Sequence, residues 1–191
     1  VLLPCLASAE EGDMPKMPNK AGSVNDYAMI LSKDQGEMLE KRTAELEKKD
    51  YCSFAVAIIP EIKGFENVEE YSAALFTAWK LGEKKNSRAV LILLAMKEHR
   101  IRIEITDNLH DRLTQTDIKT IIGKVAPYLK NSNFAQGIYE GLSEIDKKIE
   151  VQMAEKDNGS GSSDWYAVWA VVALLAVISI VMVLRQRKDD V

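Results

Sequence analysis

The spacing of hydrophobic positions changes several times along the chain, and each change marks an element. From Lys33 to Lys49 apolar residues recur at helical intervals, with Met38, Leu39 and Leu46 on one side and Glu37, Lys41, Glu45 and Lys48 on the other. Ser32-Lys-Asp-Gln35 has the form of a capping box, in which the Ser hydroxyl accepts a first-turn amide and the Gln reaches back. The spacing then collapses into an apolar run, Tyr51 to Ile59, stopped by Pro60, which predicts a strand buried on both faces. Asn67-Val-Glu-Glu70 opens a second helix, Tyr71, Leu75, Phe76 and Trp79 share one side of it, and Gly82 ends it. A second buried strand is predicted over Ala89 to Ala95. Ile101 to Ile105 alternates strictly, so one face is apolar and one polar, and the short turn before it makes the pair an antiparallel hairpin. Thr114-Gln-Thr-Asp117 caps a third helix with Ile118, Ile121, Ile122, Val125 and Leu129 inward. Asn131-Ser-Asn133 begins a fourth, with Phe134, Ile138, Leu142, Ile145 and Ile149 inward and Glu140, Glu144, Lys147 and Lys148 outward.

A helix-strand-helix-strand-strand-helix-helix order places the domain in the α/β class, as a small mixed sheet with helices on both faces. No internal repeat is found. The longest apolar run lies outside this pattern: Trp165 to Leu184 carries no charge and has the length of a membrane-crossing helix. Trp165, Tyr166 and Trp169 stand at its first end, and Arg185, Arg187 and Lys188 follow its last, which sets the carboxy end in the cytoplasm. At the other terminus, Val1 to Ala9 reads as the remainder of a secretory signal ending in Ala7-Ser8-Ala9. The expected division is therefore a signal remnant at 1–9, an extended lead-in at 10–23 and an extracytoplasmic domain at 24–154. A Gly/Ser stalk at 155–164, a membrane span at 165–184 and a tail at 185–191 follow. This describes a single-pass type I protein of the plasma membrane with its domain outside the cytoplasm.

Charge and cysteine content narrow the chemistry. A formal net charge of -4 excludes the concentrated basic surface that nucleic acid requires. Cys52 is left as the single cysteine after signal removal and reads as a small core residue. His99 and His110 read as solvated turn residues, without a second ligand at metal spacing. The chain has no Gly-rich phosphate loop, no nucleophile elbow, no paired-histidine zinc motif and no calcium loop of the EF-hand type. The polar residues expected to converge are those at strand ends: Asp26, Ser87, Arg88, Arg102, Asp107, Asn108 and Asp111. They would form a binding pocket, with Asp26, Asp107 and Asp111 as the candidate metal ligands. Equally, Asp and Asn at these places serve as turn formers. Lys84, Lys85 and Arg88 offer a basic loop for a small anion, or a solvated one.

From about Val24 to Ile145 the chain resembles the TPM domain family, found in thylakoid-lumen proteins linked to photosystem repair and in many exported bacterial proteins. The likeness rests on Val24-Asn-Asp-Tyr-Ala-Met-Ile-Leu-Ser32 and on Leu75, Phe76, Trp79 and Gly82. It continues through Val90 to Leu94, Arg102-Ile-Glu104, Leu109, Leu113-Thr114 and Ile121-Ile122. The resemblance implies an α/β/α sandwich, and calcium binding or phosphate-ester hydrolysis as proposed for some members. Asp26 matches the family's pattern, but Ser87-Arg88-Ala89 stands where the family commonly shows Asp-Asn-Gly. Thr106 and Asn108 to Asp111 replace a glycine-flanked Leu-Glu pair, and Gln115 replaces an Asp. A positive Arg88 at the pocket would also oppose a cation. The expectation is a non-catalytic accessory module for a membrane protein or complex, without catalytic residues or a cofactor. The alternative is a divalent-metal-dependent phosphatase or a calcium-binding domain.

Overall fold

A computed structural model describes residues 17–49, 52–83 and 87–159, with side chains described as far as residue 152. The signal remnant, the membrane span and the tail expected from the sequence lie outside the described residues. The described chain belongs to two compact units divided after Glu150. In the second unit, the described residues from Val151 to Gly159 are helical. The first carries the sheet.

Its elements are β1 (Val24–Asp26), α1 (Lys33–Glu47), β2 (Ser53–Ile59), α2 (Val68–Ala78), β3 (Ala89–Ala95) and β4 (Arg100–Ile105). A 3-10 turn (Asp107–Leu109), α3 (Gln115–Lys130) and the part of α4 (Phe134–Gly159) up to Glu150 complete them. The four strands stand in the order β1-β2-β3-β4. The first three are parallel, and β4 runs antiparallel to β3 as the expected hairpin. The strand β1 is not evident from the pattern, and it makes the sheet four-stranded rather than three-stranded. Its register is Val24 to Val56 and Asp26 to Ile58.

Both buried strands are as expected: every residue of β3 and all but Ser53 in β2 are buried. Ala55, Ala57, Ile59, Leu91, Leu93 and Ala95 point to α2, where Val68, Tyr71, Leu75 and Trp79 meet them. The other face carries α1, α3 and α4. Leu39 and Leu46 of α1 are fully buried there, with Thr43 between them, while Met38 turns outward and is 38% exposed. On α3, Ile118, Ile121 and Val125 are buried, and Ile122 and Leu129 only partly so. Ile138, Leu142, Ile145 and Ile149 of α4 are each 0% exposed. Gly137 and Gly141 bring α4 close to α3, for an added Cβ would lie 3.1 Å from Leu129 at the first and 3.4 Å from Val125 at the second.

Local signals set the helix starts. Both capping boxes, Ser32 with Gln35 and Thr114 with Asp117, are formed, and Asn67 accepts from Glu70 N at 2.8 Å. α2 stops at Ala78, one residue before Trp79. Lys80 and Gly82 then take left-handed φ values of 54° and 74° as the chain turns toward β3.

Within the expected lead-in, the described residues 17–23 pack onto the domain. Met17 packs against the α2 face, Trp79 Nε1 donates to Pro18 O at 2.7 Å and Tyr27 Oη donates to Asn19 O. Asn25 Oδ1 accepts from Ala21 N and Gly22 N, so residues 17–23 belong to the domain. They cover the sheet beside α2. Trp79→Phe is expected to lose about 1 kcal/mol through the missing indole bond. Limited trypsin digestion should then cut after the exposed Lys20 several times faster than in the wild type; an unchanged cutting rate would show that the indole does not hold this strap.

Candidate functional site

The register divides the expected pocket residues between the two ends of the sheet. Asp26 closes β1 level with Ile58 and Leu94, at the carboxyl end of the parallel strands. Ser87 and Arg88 precede β3, and Asp107 follows β4, which runs the other way. From the level of Ala89 to that of Leu94 the sheet rises about 17 Å, with three strand spacings of about 4.8 Å between β1 and β4. One pocket does not collect all of these groups, and Asp26 cannot share a cation with Asp107 or Asp111. Arg102 is separate again. It lies opposite Leu93, on the α2 face, whereas Asp26 shares the face of Ile58 and α1.

At the carboxyl end, Asp26 Oδ2 accepts from Leu31 N at 2.8 Å and ties down the β1–α1 loop. Its Oδ1 is buried without a hydrogen-bond partner among the described residues. The positive end of α1 follows directly, a favourable place for a carboxylate. Between them Met29 sits at φ 53° with 88% of its surface exposed. A bulky side chain in the left-handed region costs roughly 1 kcal/mol, and such strain persists where the surroundings enforce it. Here the enforcing contacts are Asp26 to Leu31 on one side and Tyr27 N to Ile58 O, 2.8 Å, on the other.

Two further loops share this end. Met96 N and Lys97 N bond to Ile59 O and Pro60 O, and Glu98 Oε1 accepts from Ile62 N at 3.2 Å. Glu61 lies between Lys97 and Lys63, whose ammonium groups hold its carboxyl down to about 2. His99 occupies the hairpin turn at φ 51°.

At the opposite end the interactions are structural. Asn108 Nδ2 donates to Ser87 O at 3.2 Å, Thr106 Oγ1 donates to Asn108 Oδ1 at 2.8 Å, and Ala89 N donates to Thr106 Oγ1. Ser53 N and Oγ both donate to Arg88 O. The Ser87 hydroxyl is buried without a partner among the described residues. Asp107 is fully exposed, with His110 4.0 Å away, and Asp111 is exposed. Burial pushes the Cys52 thiol up to about 12, so it stays protonated and is a core residue rather than a nucleophile. Arg102 pairs with Glu104 at 3.1 Å, and Glu104 accepts from Ser72 Oγ.

The donor set does not suit a hard cation, which takes six to eight oxygens. Asp26 brings one carboxylate with an oxygen already engaged, and among the described residues no three His, Cys, Asp or Glu side chains are grouped to hold a metal. The sequence reading passed over one buried acid. Asp146, on α4 and 6% exposed, accepts from Lys49 at 2.9 Å and Arg42 at 3.3 Å. It ties α4 to α1.

No curated protein matches the sequence. Among solved structures, the N-terminal domain of a P. gingivalis protein is similar at 26% identity and TM-score 0.61, over 68% of this chain and 82% of that one. A protein of the psychrophilic bacterium Bizionia argentinensis (18% identity, TM-score 0.56, 62% of this chain, 81% of that one) has the same fold. So has the N-terminal domain of a Corynebacterium glutamicum protein, with 12% identity, TM-score 0.54, 70% of this chain and 83% of that one. Residues 24–148, which hold the whole sheet and both capping boxes, match the TPM domain, and the chain belongs to the TPM domain family.

Proposed function

We propose that this chain is a non-catalytic docking domain, tethered to a membrane through residues 165–184 and facing away from the cytoplasm, that binds a membrane protein or complex. The observation that carries this reading is the placement of Asp26 and of Asp107 with Asp111 at opposite ends of the sheet. A phosphatase using them together would need one cation to polarise the phosphoryl oxygens and position water, and these residues cannot share one. What remains at the carboxyl end is a surface feature: exposed Met29 on a loop braced from beneath by Asp26. A methionine fits a partner's apolar pocket. The apolar run of 165–184, flanked by aromatic and basic residues, supports the tether.

A photo-crosslinking residue at position 29 of the full chain, in native membranes, is expected to yield one discrete adduct. The same residue in place of exposed Thr116, at the other end, should yield none. Equal labelling from both positions, or from neither, would overturn the docking role of this loop. Release of phosphate from p-nitrophenyl phosphate that needs a divalent cation and disappears in Asp26→Asn would restore the enzyme reading.

A further inference from the structure

The loop that presents Met29 is tied to the sheet by its main chain and to the 17–23 strap by one side chain. Leu31 N donates to Asp26 Oδ2 and Tyr27 N to Ile58 O, each at 2.8 Å. The Tyr27 ring packs against the apolar cluster on the α2 face, and its hydroxyl donates to Asn19 O of the strap. Burial raises the phenol above its usual value, so it remains a donor at neutral pH. The strap is anchored in turn. Trp79, buried at the end of α2, donates its indole N–H to Pro18 O at 2.7 Å, and Met17 packs against the same cluster. Asn25 closes the other side of the strap, accepting from Ala21 N at 2.7 Å and donating to Gly22 O at 3.0 Å. Pro18 and Asn19 are neighbours in the chain, so two bonds meet on one short segment: the first fixes it to α2, and the second fixes the Met29 loop to it.

These contacts matter because the loop is strained. Met29, at φ 53°, holds a conformation that is unfavourable by itself and relaxes when its surroundings stop enforcing it. Tyr27 stands two residues before it, fixed at both its N–H and its hydroxyl. We propose that the strap and the loop form one conformational device. While the strap lies on α2 it holds the Tyr27 ring, and the ring keeps Met29 in its left-handed, outward conformation. When the strap lifts, the loop relaxes and Met29 leaves that position. Tyr27 is the positioning residue, and the Trp79 indole is the latch. The device rests on the docking role proposed for Met29 and adds a means of regulating it. The coupling is reciprocal: a partner that selects the strained loop also tightens the strap.

The test is amide hydrogen exchange of the full chain in detergent micelles, resolved by residue, comparing wild type, Tyr27→Phe and Trp79→Phe. The first variant keeps the ring and loses the hydroxyl; the second loses only the indole donor, one contact further from the loop. In both, Leu31 N–H should exchange about fivefold faster than in the wild type, the order expected when one neutral hydrogen bond is lost. Asp117 N–H, bonded to Thr114 Oγ1 at 3.2 Å, is an equally local bond at the other end of the sheet and should not change. The photo-crosslinking residue at position 29 reads the consequence, and its adduct in native membranes should weaken in both variants. Unchanged exchange at Leu31 in either variant would overturn the proposal. So would equal acceleration at Leu31 and Asp117, which is a general loosening, or faster exchange at Leu31 with a full yield of adduct. A wild type that gives no adduct, while Leu31 responds to both substitutions, refutes the docking role and upholds the brace.

Discussion

Alanine in place of Asp146 is expected to lower the unfolding free energy by about 3 kcal/mol, the order observed when one partner of a buried ion pair is removed. Asp146 accepts from Lys49 Nζ with both oxygens at 2.9 Å and from Arg42 Nη2 at 3.3 Å. The Arg42 guanidinium also lies 5.6 Å from the centre of the Tyr139 ring and donates to Ser143 Oγ, so one group locks α1 to three positions of α4. Truncation leaves two cations facing each other without the intervening carboxylate. Arg42, 18% exposed, keeps as its ion pair only the longer contact with Glu45 at 3.8 Å, while Lys49, at 34%, partly recovers water. Glu150, 3.5 Å from Lys49, compensates little because it is itself exposed. Urea denaturation should show the midpoint falling at unchanged slope; a loss under 1 kcal/mol would mean that the network is only a surface contact. The pH dependence has a definite sign. The hydrogen bond from Lys49 to Asp146 holds the ammonium above its usual value. Its contribution is fully present below about pH 10.4 and is lost as the pH rises through the folded-state value. Wild type should therefore weaken relative to Asp146→Ala in that alkaline window, narrowing the gap between them.

Gly82→Ala should cost about 2 to 3 kcal/mol, from two separable causes. Its φ of 74° is a left-handed conformation that costs an L-residue roughly 1 kcal/mol. The added Cβ would also lie 2.1 Å from Thr106 Cγ2. Thr106 cannot turn aside freely: its hydroxyl accepts from Ala89 N at 3.1 Å and donates to Asn108 Oδ1, which belongs to the side chain that bonds to Ser87 O. Overpacking of this kind costs about 1 to 3 kcal/mol. Thr106→Ser removes the methyl and keeps the hydroxyl. In a double-mutant cycle the pair Gly82→Ala, Thr106→Ser should recover the steric part and retain only the backbone part, about 1 kcal/mol. Strict additivity of the two substitutions would refute the contact.

What could be read from the sequence was what is decided locally. The capping boxes at Ser32 and Thr114 involve side chains three residues apart, and both are formed as written. The buried strands and the β3–β4 hairpin announced themselves through apolar runs, alternation and a short turn. β1 could not be read because Val24-Asn-Asp26 is three residues long and contains two turn formers; it is a strand through its pairing with β2. The division of the candidate residues between the two sheet ends was hidden for the same reason. Without β1 the direction of the chain through Asp26 was unknown, and a rule about strand ends cannot tell one end from the other. Asp146 was hidden by its neighbours, since Glu144, Lys147 and Lys148 give its segment the look of a solvated face. Its partners lie about a hundred residues earlier in the chain. Trp79 stood out as an aromatic core residue, but the acceptor of its indole, Pro18 O, is a main-chain group that no side-chain pattern encodes.

The strand order β1-β2-β3-β4 is also the order of the chain. A sheet of this kind grows at one margin only. Each new strand joins the one synthesised before it, and none has to be inserted between two that have already met. A polypeptide that emerges amino end first can therefore complete every pairing in turn, holding at each stage a smaller version of the final sheet. The growing margin ends at β4, and the two helices that seal the α1 face arrive only after the last strand is in place.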